Sequence, residues 1–361
     1  MTTALTADVA IVGGGIIGLA TAERLTAHGA SVVLIDDTGA TGGATSASGG
    51  LVRAFEPTGA HAAWAAEGCA LYQRRGWHGT WPELREHGSL TLLDRDSLVR
   101  AGAALEAAHA AGHETVVLDS GEIGRTFPGL AVPAHLLGVL EPRAGWLPVT
   151  AVARAVLRDA GSTLRLLTAR ATALLTRPLS RIRGVRTTSG PVYADAVLLA
   201  AGAESEPLAA SVGVRLPMRT RAVGYCLFRC EDTASLANLP TVVDGSTGAW
   251  LRRWDTDGVV LAGVSSTRTG VPATVRQTVP AAEEQRVRSV VRHRCPQLSG
   301  ARAVGGVAAY DALTPDGPGA VTSWPHPRGL VTAVGWNGGG FKLAPAVGRH
   351  AADELLKAVA R

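Results

Sequence analysis

The chain has 361 residues, 35 basic against 30 acidic side chains and a formal charge of +5, with 46% hydrophobic and 18% charged residues. That length suits two interleaved domains better than one core, and the modest, dispersed charge excludes long disorder and argues against a nucleic-acid partner. No apolar run approaches the ~20 residues of a membrane-spanning helix, so no membrane association is expected; without a basic-flanked leader before Asp8 the expected location is cytoplasmic.

In chain order, Asp8–Val12 reads as a β-branched strand, Gly13-Gly14-Gly15-Ile16-Ile17-Gly18 as a turn, and Leu19–His28 as a helix closed by Gly29. Ser31–Ile35 is a second strand running into Asp36, 18 positions beyond Gly18 (36 − 18). A βαβ unit with an acid at this place is the arrangement of a dinucleotide site. Gly13 permits the tight turn, Gly15 the approach of a pyrophosphate to backbone N–H groups, and Gly18 close packing of helix on strand; Asp36 accepts hydrogen bonds from ribose hydroxyls. A glycine-rich turn of an unrelated α/β fold would share the six residues, so the flanking strands and the acid carry the reading.

Thr41–Gly50 holds only small and hydroxylated residues. Alone it is a solvated loop; after a dinucleotide unit it reads as backbone lying flat along an extended cofactor. Ser97–Gly112 and Pro148–Gly161 show helical Ala/Leu spacing, while Thr163–Thr168, Gly184–Thr188 and Val192–Leu199 read as strands, the last entering the turn Ala200-Ala201-Gly202-Ala203. Gly224–Phe228 and Gly258–Val264 are further strands, and Leu343–Leu356 a closing helix with Pro345 near its start. No second strand–GxGxxG–helix unit occurs, so the reducing equivalents are expected from the substrate and not from NAD(P)H. Cys69, Cys226, Cys230 and Cys295 match neither a disulfide framework, a zinc site nor a redox pair after the first motif. His61, His78, His87, His109 and His113 lack metal-ligand spacing, so no metal is expected and they read as surface or core residues.

In this order the motifs resemble the D-amino-acid oxidase superfamily of flavoenzymes, on its glycine oxidase and sarcosine oxidase side. The markers span nearly the whole chain: the Gly13–Gly18 turn, Thr45–Gly50, Gly145-Trp146-Leu147-Pro148, Ala200–Ala203, Thr314-Pro315-Asp316-Gly317 and Gly335–Gly348. The resemblance implies an α/β fold with a discontinuous Rossmann-like FAD-binding domain, 1–85, 147–217 and 315–361, and a second, mainly antiparallel-sheet substrate domain, 86–146 and 218–314. It implies non-covalent FAD, because relatives that attach it use a cysteine just before the Thr-Pro-Asp motif, where this chain has Ala308-Ala309-Tyr310-Asp311. The implied cofactor contacts are Gly13, Gly15, Ile16, Ile17 and Gly18; Asp36 and Asp37; Thr45, Ser46, Ala47, Ser48, Gly49 and Gly50; Ala171, Ala201 and Gly202; and Gly338, Gly339, Gly340, Phe341 and Lys342.

The implied activity is oxidation of the C–N bond of an amino acid or related secondary amine to an imine, by hydride transfer to flavin N5. The partners are then a small amine or amino-acid substrate and O2 or another electron acceptor, in amino-acid catabolism or specialised-metabolite biosynthesis. Such chemistry asks the protein chiefly to orient its substrate, so a carboxylate anchor is the expected signature. Lys342 is one of two lysines in an arginine-rich chain and by resemblance helps hold the substrate carboxylate, with a solvated surface lysine as the alternative. Arg53 falls where sarcosine-oxidase-like relatives carry a carboxylate-binding arginine. Arg253, before Asp257-Gly258, falls where glycine-oxidase-like relatives carry theirs, with Arg252 beside it as the other register. Tyr310 and Tyr225 line the pocket or pack the core with a satisfied hydroxyl. Trp64, Trp77, Trp81, Trp250 and Trp254 are expected to pack the substrate domain or its border, one or two of them near a pocket for a bulky substrate. Leu261-Ala262-Gly263-Val264-Ser265 lacks the lysine that sarcosine-oxidase-like enzymes keep for oxygen, so oxidase and dehydrogenase both stay open. Thr45–Gly50 lacks their histidine pair, so simple sarcosine is not favoured. The competing readings are a flavin monooxygenase reduced by NAD(P)H and a non-catalytic FAD-binding subunit.

Overall fold

The computed structural model describes residues 4–177, 181–254, 258–315 and 317–360; Asp257, Asp316 and the Trp77 side chain lie outside the described set. Leu5–Val12, the helix Ile16–Ala27 and Val32–Asp36 form the βαβ unit at the centre of the first sheet. Its parallel strands run in the order Leu330–Val334, Gly190–Leu199, Leu5–Val12, Val32–Asp36, Leu164–Thr168. Ala320–Ser323 adds an antiparallel edge, and the hairpin Ala171–Thr176 with Ile182–Thr187 pairs with the first half of Gly190–Leu199.

A strand covered on both faces needs apolar side chains at every position instead of every second one. Val9, Ala10, Ile11 and Val12 are accordingly all buried. Val9 and Ile11 pack with the helices Ile16–Ala27, Val149–Ala160 and Gly340–Val359, whereas Ala10 and Val12 pack with the hairpin and the short helix Ser205–Ala210. The helix layer is tight. A Cβ on Gly348 would lie 2.7 Å from the Ala20 carbonyl carbon, so the closing helix reaches the first helix only because that position is glycine.

The second sheet has eight strands in the order Arg302–Leu313, Arg219–Arg229, Val259–Val264, Ala249–Arg253, Thr241–Asp244, Ser89–Asp94, Leu136–Glu141, Val116–Leu118. Thr241–Asp244 and Ser89–Asp94 pair in parallel, the other neighbours antiparallel. Period-two alternation gives the sheet two distinct faces. Leu90, Leu92, Val242, Leu251, Val260 and Phe228 pack with Ile123 and the helix Ala281–Val291. The intervening Val243, Trp250, Val223 and Arg221 line a large cavity shared with the glycine turn of the first sheet. Strands of the first sheet fall within 1–85, 147–217 and 315–361, and those of the second within 86–146 and 218–314. The short ladder of Leu51–Val52 with Gly145–Trp146 crosses between these groups of segments.

Two local readings change. The single helix expected over Ser97–Gly112 is two, Arg95–Arg100 and Gly102–Ala110. Asp94 caps the first by accepting the Ser97 N–H at 2.6 Å, and the chain leaves helical geometry at Ala101 just before Gly102, the weakest helix former there. Trp64 and Trp81, expected at the substrate domain or its border, pack in the core of the first sheet instead, because the helix Ala62–Trp77 that carries Trp64 lies against Gly340–Val359. No helix among the described residues is long and apolar enough to cross a membrane.

Candidate active site

A cavity of about 1230 Å³ runs from Asp36 and Ala171 at one end, past Gly15 and Thr45, to Arg53 and Lys342 at the other. It exceeds the roughly 300–1,000 Å³ of ordinary ligand pockets. At its glycine turn each glycine has a separate physical reason. Gly13 adopts φ +108° and a Cβ there would sit 2.5 Å from the Ala200 carbonyl oxygen; a Cβ on Gly18 would overlap the Gly13 carbonyl oxygen. Gly15 caps the first helix, and its missing Cβ faces only Thr45 Oγ1, at 3.2 Å. A helix start leaves first-turn N–H groups without intrahelical partners, so this gap is a cradle for phosphate oxygens.

Thr45 Oγ1 accepts the Ile16 N–H at 3.0 Å and so ties the small-residue loop to the helix start. Ala44–Ala47 coils into a 3-10 turn. Asp36 lines the cavity but already accepts four bonds, one from the glycine turn, Gly14 N–H at 2.7 Å, and three from its own turn, Thr38 N–H at 2.8 Å, Thr38 Oγ1 at 2.5 Å and Ala40 N–H at 3.3 Å. Burial alone would raise this acid, yet these bonds hold it below the usual carboxylate range. Its first task is therefore to fix the turn that forms this end of the cavity. Ile16, Ile17, Asp37, Thr45, Ala47, Ser48, Gly49, Ala171, Ala201, Gly202, Gly338, Gly339, Gly340 and Phe341 also reach the cavity wall. Gly18, Ser46 and Gly50 stand behind it. Gly50, at φ +70°, lets the chain pass the Leu147 carbonyl, and Ser46 Oγ donates to Gly43 O at 2.8 Å.

At the other end lies a cluster of charge. Lys342 is 8% exposed and Arg53 likewise 8%, so neither is the solvated surface side chain that was the alternative for Lys342. Lys342 Nζ donates to Glu56 Oε2, Arg53 Nη2 stands 3.6 Å from the same oxygen, and Arg53 Nη1 donates to the Phe55 carbonyl. Burial, reinforced by Arg53, pulls the Lys342 ammonium down to about 8 against the pull of Glu56. Burial would lift Glu56, but Lys342 and Arg53 overcome it and hold that carboxyl at about 2. The Lys342 backbone is set by two close contacts. Gly68 has no Cβ to overlap the Lys342 carbonyl oxygen, and Tyr72 Oη donates to Phe341 O at 2.8 Å.

The remaining candidates separate. Tyr310 lies on the wall at the far end, its hydroxyl near Gly43; burial, with Glu204 nearby, raises its phenol above the usual range. It is a neighbour of the Asp36 turn and not of Lys342, because the strand Arg302–Leu313 passes over the Ala44–Ala47 turn. Tyr225 packs edge-on to Trp250, ring centroids 6.1 Å apart, so it supports a wall residue. Arg253 is off the cavity: it lines a separate cavity of about 210 Å³ with Thr233 and Leu236 and donates to Ala237 O at 2.5 Å. The physical reason is strand alternation, which gives the inward face to Arg252. Arg252 donates its Nε–H to Gly49 O at 2.8 Å and lies between Trp146 and Trp254, 3.8 and 4.7 Å from their ring centroids.

Several wall residues carried no readable signal in the sequence. Glu56 is 286 positions from Lys342, and His61, read as a surface or core histidine, lies on the wall. His61 stacks on Trp64 at 5.4 Å, tilts against Trp336 at 5.7 Å and bonds Gly319 O through Nε2 at 2.8 Å. Arg221 and Asp311 form a wall pair at 3.0 Å next to Gly338. Burial raises the Asp311 carboxyl, with Arg221 opposing it.

The model of the FAD dependent oxidoreductase family, DAO, matches residues 8–354. Glycine oxidase from Pseudomonas putida is 29% identical over 358 residues, which cover 94% of this chain and 92% of that protein. Glycine oxidase from Geobacillus kaustophilus is 27% identical, covering 96% and 92%. Among solved structures, L-proline dehydrogenase from P. horikoshii superposes with a TM-score of 0.87 at 21% identity, covering 98% of this chain and 94% of that one. The Geobacillus kaustophilus glycine oxidase structure gives 0.81 at 24%, covering 98% and 95%.

Proposed function

The chain belongs to the DAO family of FAD-dependent oxidoreductases, and from that premise we propose that it oxidises the C–N bond of a small carboxylated amine, an amino acid or related secondary amine, to an imine. FAD is the cofactor, and the cavity fits it: a helix N-terminus with a glycine gap, an acid after the second strand, and a wall of small residues leading to the charged end. When bound, the flavin supplies the two-electron acceptor, taking a hydride from the substrate carbon at N5. All four cysteines are buried and none reaches the cavity wall, which supports FAD held without a covalent bond. In this reading 1–85, 147–217 and 315–361 hold the cofactor, while 86–146 and 218–314 wall the substrate.

One observation carries the substrate class. Two buried cations, Arg53 and Lys342, converge on the Glu56 carboxylate at the cavity wall, a pair of cationic donors that a ligand carboxylate can meet. Arg53 is a five-donor fork with one N–H given to Phe55 O, so donors remain for a carboxylate oxygen. Lys342 then orients from behind, through Glu56, and Trp336 and His61 bound the space for the amine's substituent. The electrons leave to O2 or to another acceptor. The test is anaerobic: the yellow protein is mixed with amino acids, N-methyl amino acids and cyclic imino acids, and separately with NAD(P)H. Bleaching of the visible flavin band by a carboxylated amine alone is expected. Bleaching only by NAD(P)H would support the monooxygenase, and none by any donor the non-catalytic subunit.

A further inference from the structure

Glu141 is 3% exposed, on the strand Leu136–Glu141 of the second sheet, and none of the site chemistry above uses it. Its Oε1 accepts two backbone N–H groups, from Ala54 at 2.6 Å and from Phe55 at 3.0 Å. These two residues lie between Arg53 and Glu56, 86 and 87 positions away in sequence. The segment leaves the ladder Leu51–Val52 and must present two opposite charges to the cavity within four residues. Buried backbone donors there need partners, and no neighbouring strand supplies them among the described pairings. One carboxylate oxygen takes both.

The face on which Glu141 stands carries, beside the buried Val139, polar residues at positions where packing alone would favour apolar ones. Ser89 is its cross-strand neighbour and Thr241 the neighbour of Ser89, so alternation places all three on one face, with Thr91 two residues along. Glu141 Oε2, Ser89 Oγ, Thr91 Oγ1 and Thr241 Oγ1 are buried without a protein hydrogen-bond partner. Buried unpaired polar groups cost stability, and of this row it is Glu141 that reaches the Arg53–Glu56 segment, through Ala54 and Phe55.

We propose that Glu141 is a positioning residue: from the second sheet it holds the Ala54–Phe55 backbone and thereby aims Arg53 and Glu56 at the ligand. It rests on the carboxylate-anchor reading of the same site and adds the element that sets its geometry. Burial lifts the Glu141 carboxyl, against Arg53, the two N–H bonds and Lys342. The hold on the turn itself asks for one acceptor oxygen placed between two backbone donors. Glutamine keeps that acceptor; leucine does not.

The experiment compares Glu141→Gln, Glu141→Leu and Arg53→Ala as FAD-loaded proteins. The readouts are FAD retained per chain, the thermal midpoint, the apparent Kd for propionate from the flavin difference spectrum, and the split of KM from kcat on any amine that reduces the flavin. The expected result for Glu141→Leu is a roughly ten- to hundredfold weaker propionate Kd and a raised KM, with FAD per chain unchanged. Glu141→Gln is expected to stay within about threefold of the parent, since the same oxygen accepts both N–H groups. If the leucine variant fails to fold, the glutamine variant and Glu141→Asp decide: aspartate, one methylene short of both donors, is expected to weaken propionate while glutamine does not. Parental propionate binding in the leucine or aspartate variant, or a loss in glutamine equal to theirs, would overturn the proposal. Weakening in Arg53→Ala alone sinks the role of Glu141 and keeps the anchor; unchanged binding in Arg53→Ala sinks both.

Discussion

The closing helix Gly340–Val359 contains Pro345, which has no N–H to give to the carbonyl four residues back. That carbonyl is Phe341 O, and the Tyr72 hydroxyl donates to it at 2.8 Å from a side chain 1% exposed and stacked on the Phe341 ring at 5.3 Å. Tyr72 therefore replaces the hydrogen bond that proline removes, one turn from Lys342. Tyr72→Phe keeps the ring stack and deletes only the donor, leaving a buried carbonyl unpaired at about 1–3 kcal/mol. Pro345→Ala restores the N–H, so in that background Tyr72→Phe is expected to cost under about 0.5 kcal/mol, a coupling of about 0.5–3 kcal/mol in the double-mutant cycle. With an unfolding entropy of about 2.1 cal/mol/K per residue over 361 residues, each kcal/mol moves the thermal midpoint by about 1.3 °C. Calorimetry of the four proteins at one FAD concentration measures it, with denaturant midpoints as a second scale. An equal loss from Tyr72→Phe in the parent and in the Pro345→Ala background would refute the replacement.

Further outcomes follow from the same contacts. Gly18→Ala drives a Cβ into the Gly13 carbonyl oxygen, so the purified protein is expected to carry little FAD by its visible flavin absorbance per chain, and to melt earlier. Propionate affinity is expected to fall as pH rises through about 8, where Lys342 loses its proton; Glu56→Gln removes the opposing charge and moves that limb lower, and Lys342→Met abolishes it. Stability has the complementary sign. Lys342 releases its proton in the fold before the unfolded chain does, so stability rises between about 8 and 10.5. Glu56, held at about 2 against 4.5, contributes stability above 4.5 that fades as pH falls toward 2, readable in acid melts of parent and Glu56→Gln. Arg252→Leu is expected to loosen the Gly49 loop and lower FAD retention, while Arg253→Ala, off the main cavity, leaves propionate binding at the parental value.

Local constraints were the legible ones. Gly13, Gly15 and Gly18 act within a strand–turn–helix unit whose demands are met by neighbours in sequence, and Lys342 stood out because a glycine-rich segment surrounds a rare residue type. Glu56 and Glu141 were not legible, since each gains its meaning from a partner 86 to 286 positions away that only the tertiary fold brings near. Arg253 shows a third kind of difficulty. Both arginines suit a strand, and a shift of one residue exchanges the inward and outward faces, so composition does not select between them. Asp36 was recognised by spacing, and one of its four bonds comes from Gly14 of the glycine turn, but the other three come from Thr38 and Ala40, which no motif marks.

The most direct test uses matched donors. An amino acid that bleaches the flavin without oxygen is compared with the same amine lacking its carboxylate, in the parent and in Arg53→Ala. Reduction of the parent by the amino acid at a rate far above its decarboxylated twin, with that advantage gone in Arg53→Ala, is the result predicted here. Equal rates for the two donors in the parent would contradict the claim that the buried Arg53–Glu56–Lys342 cluster selects a carboxylated amine.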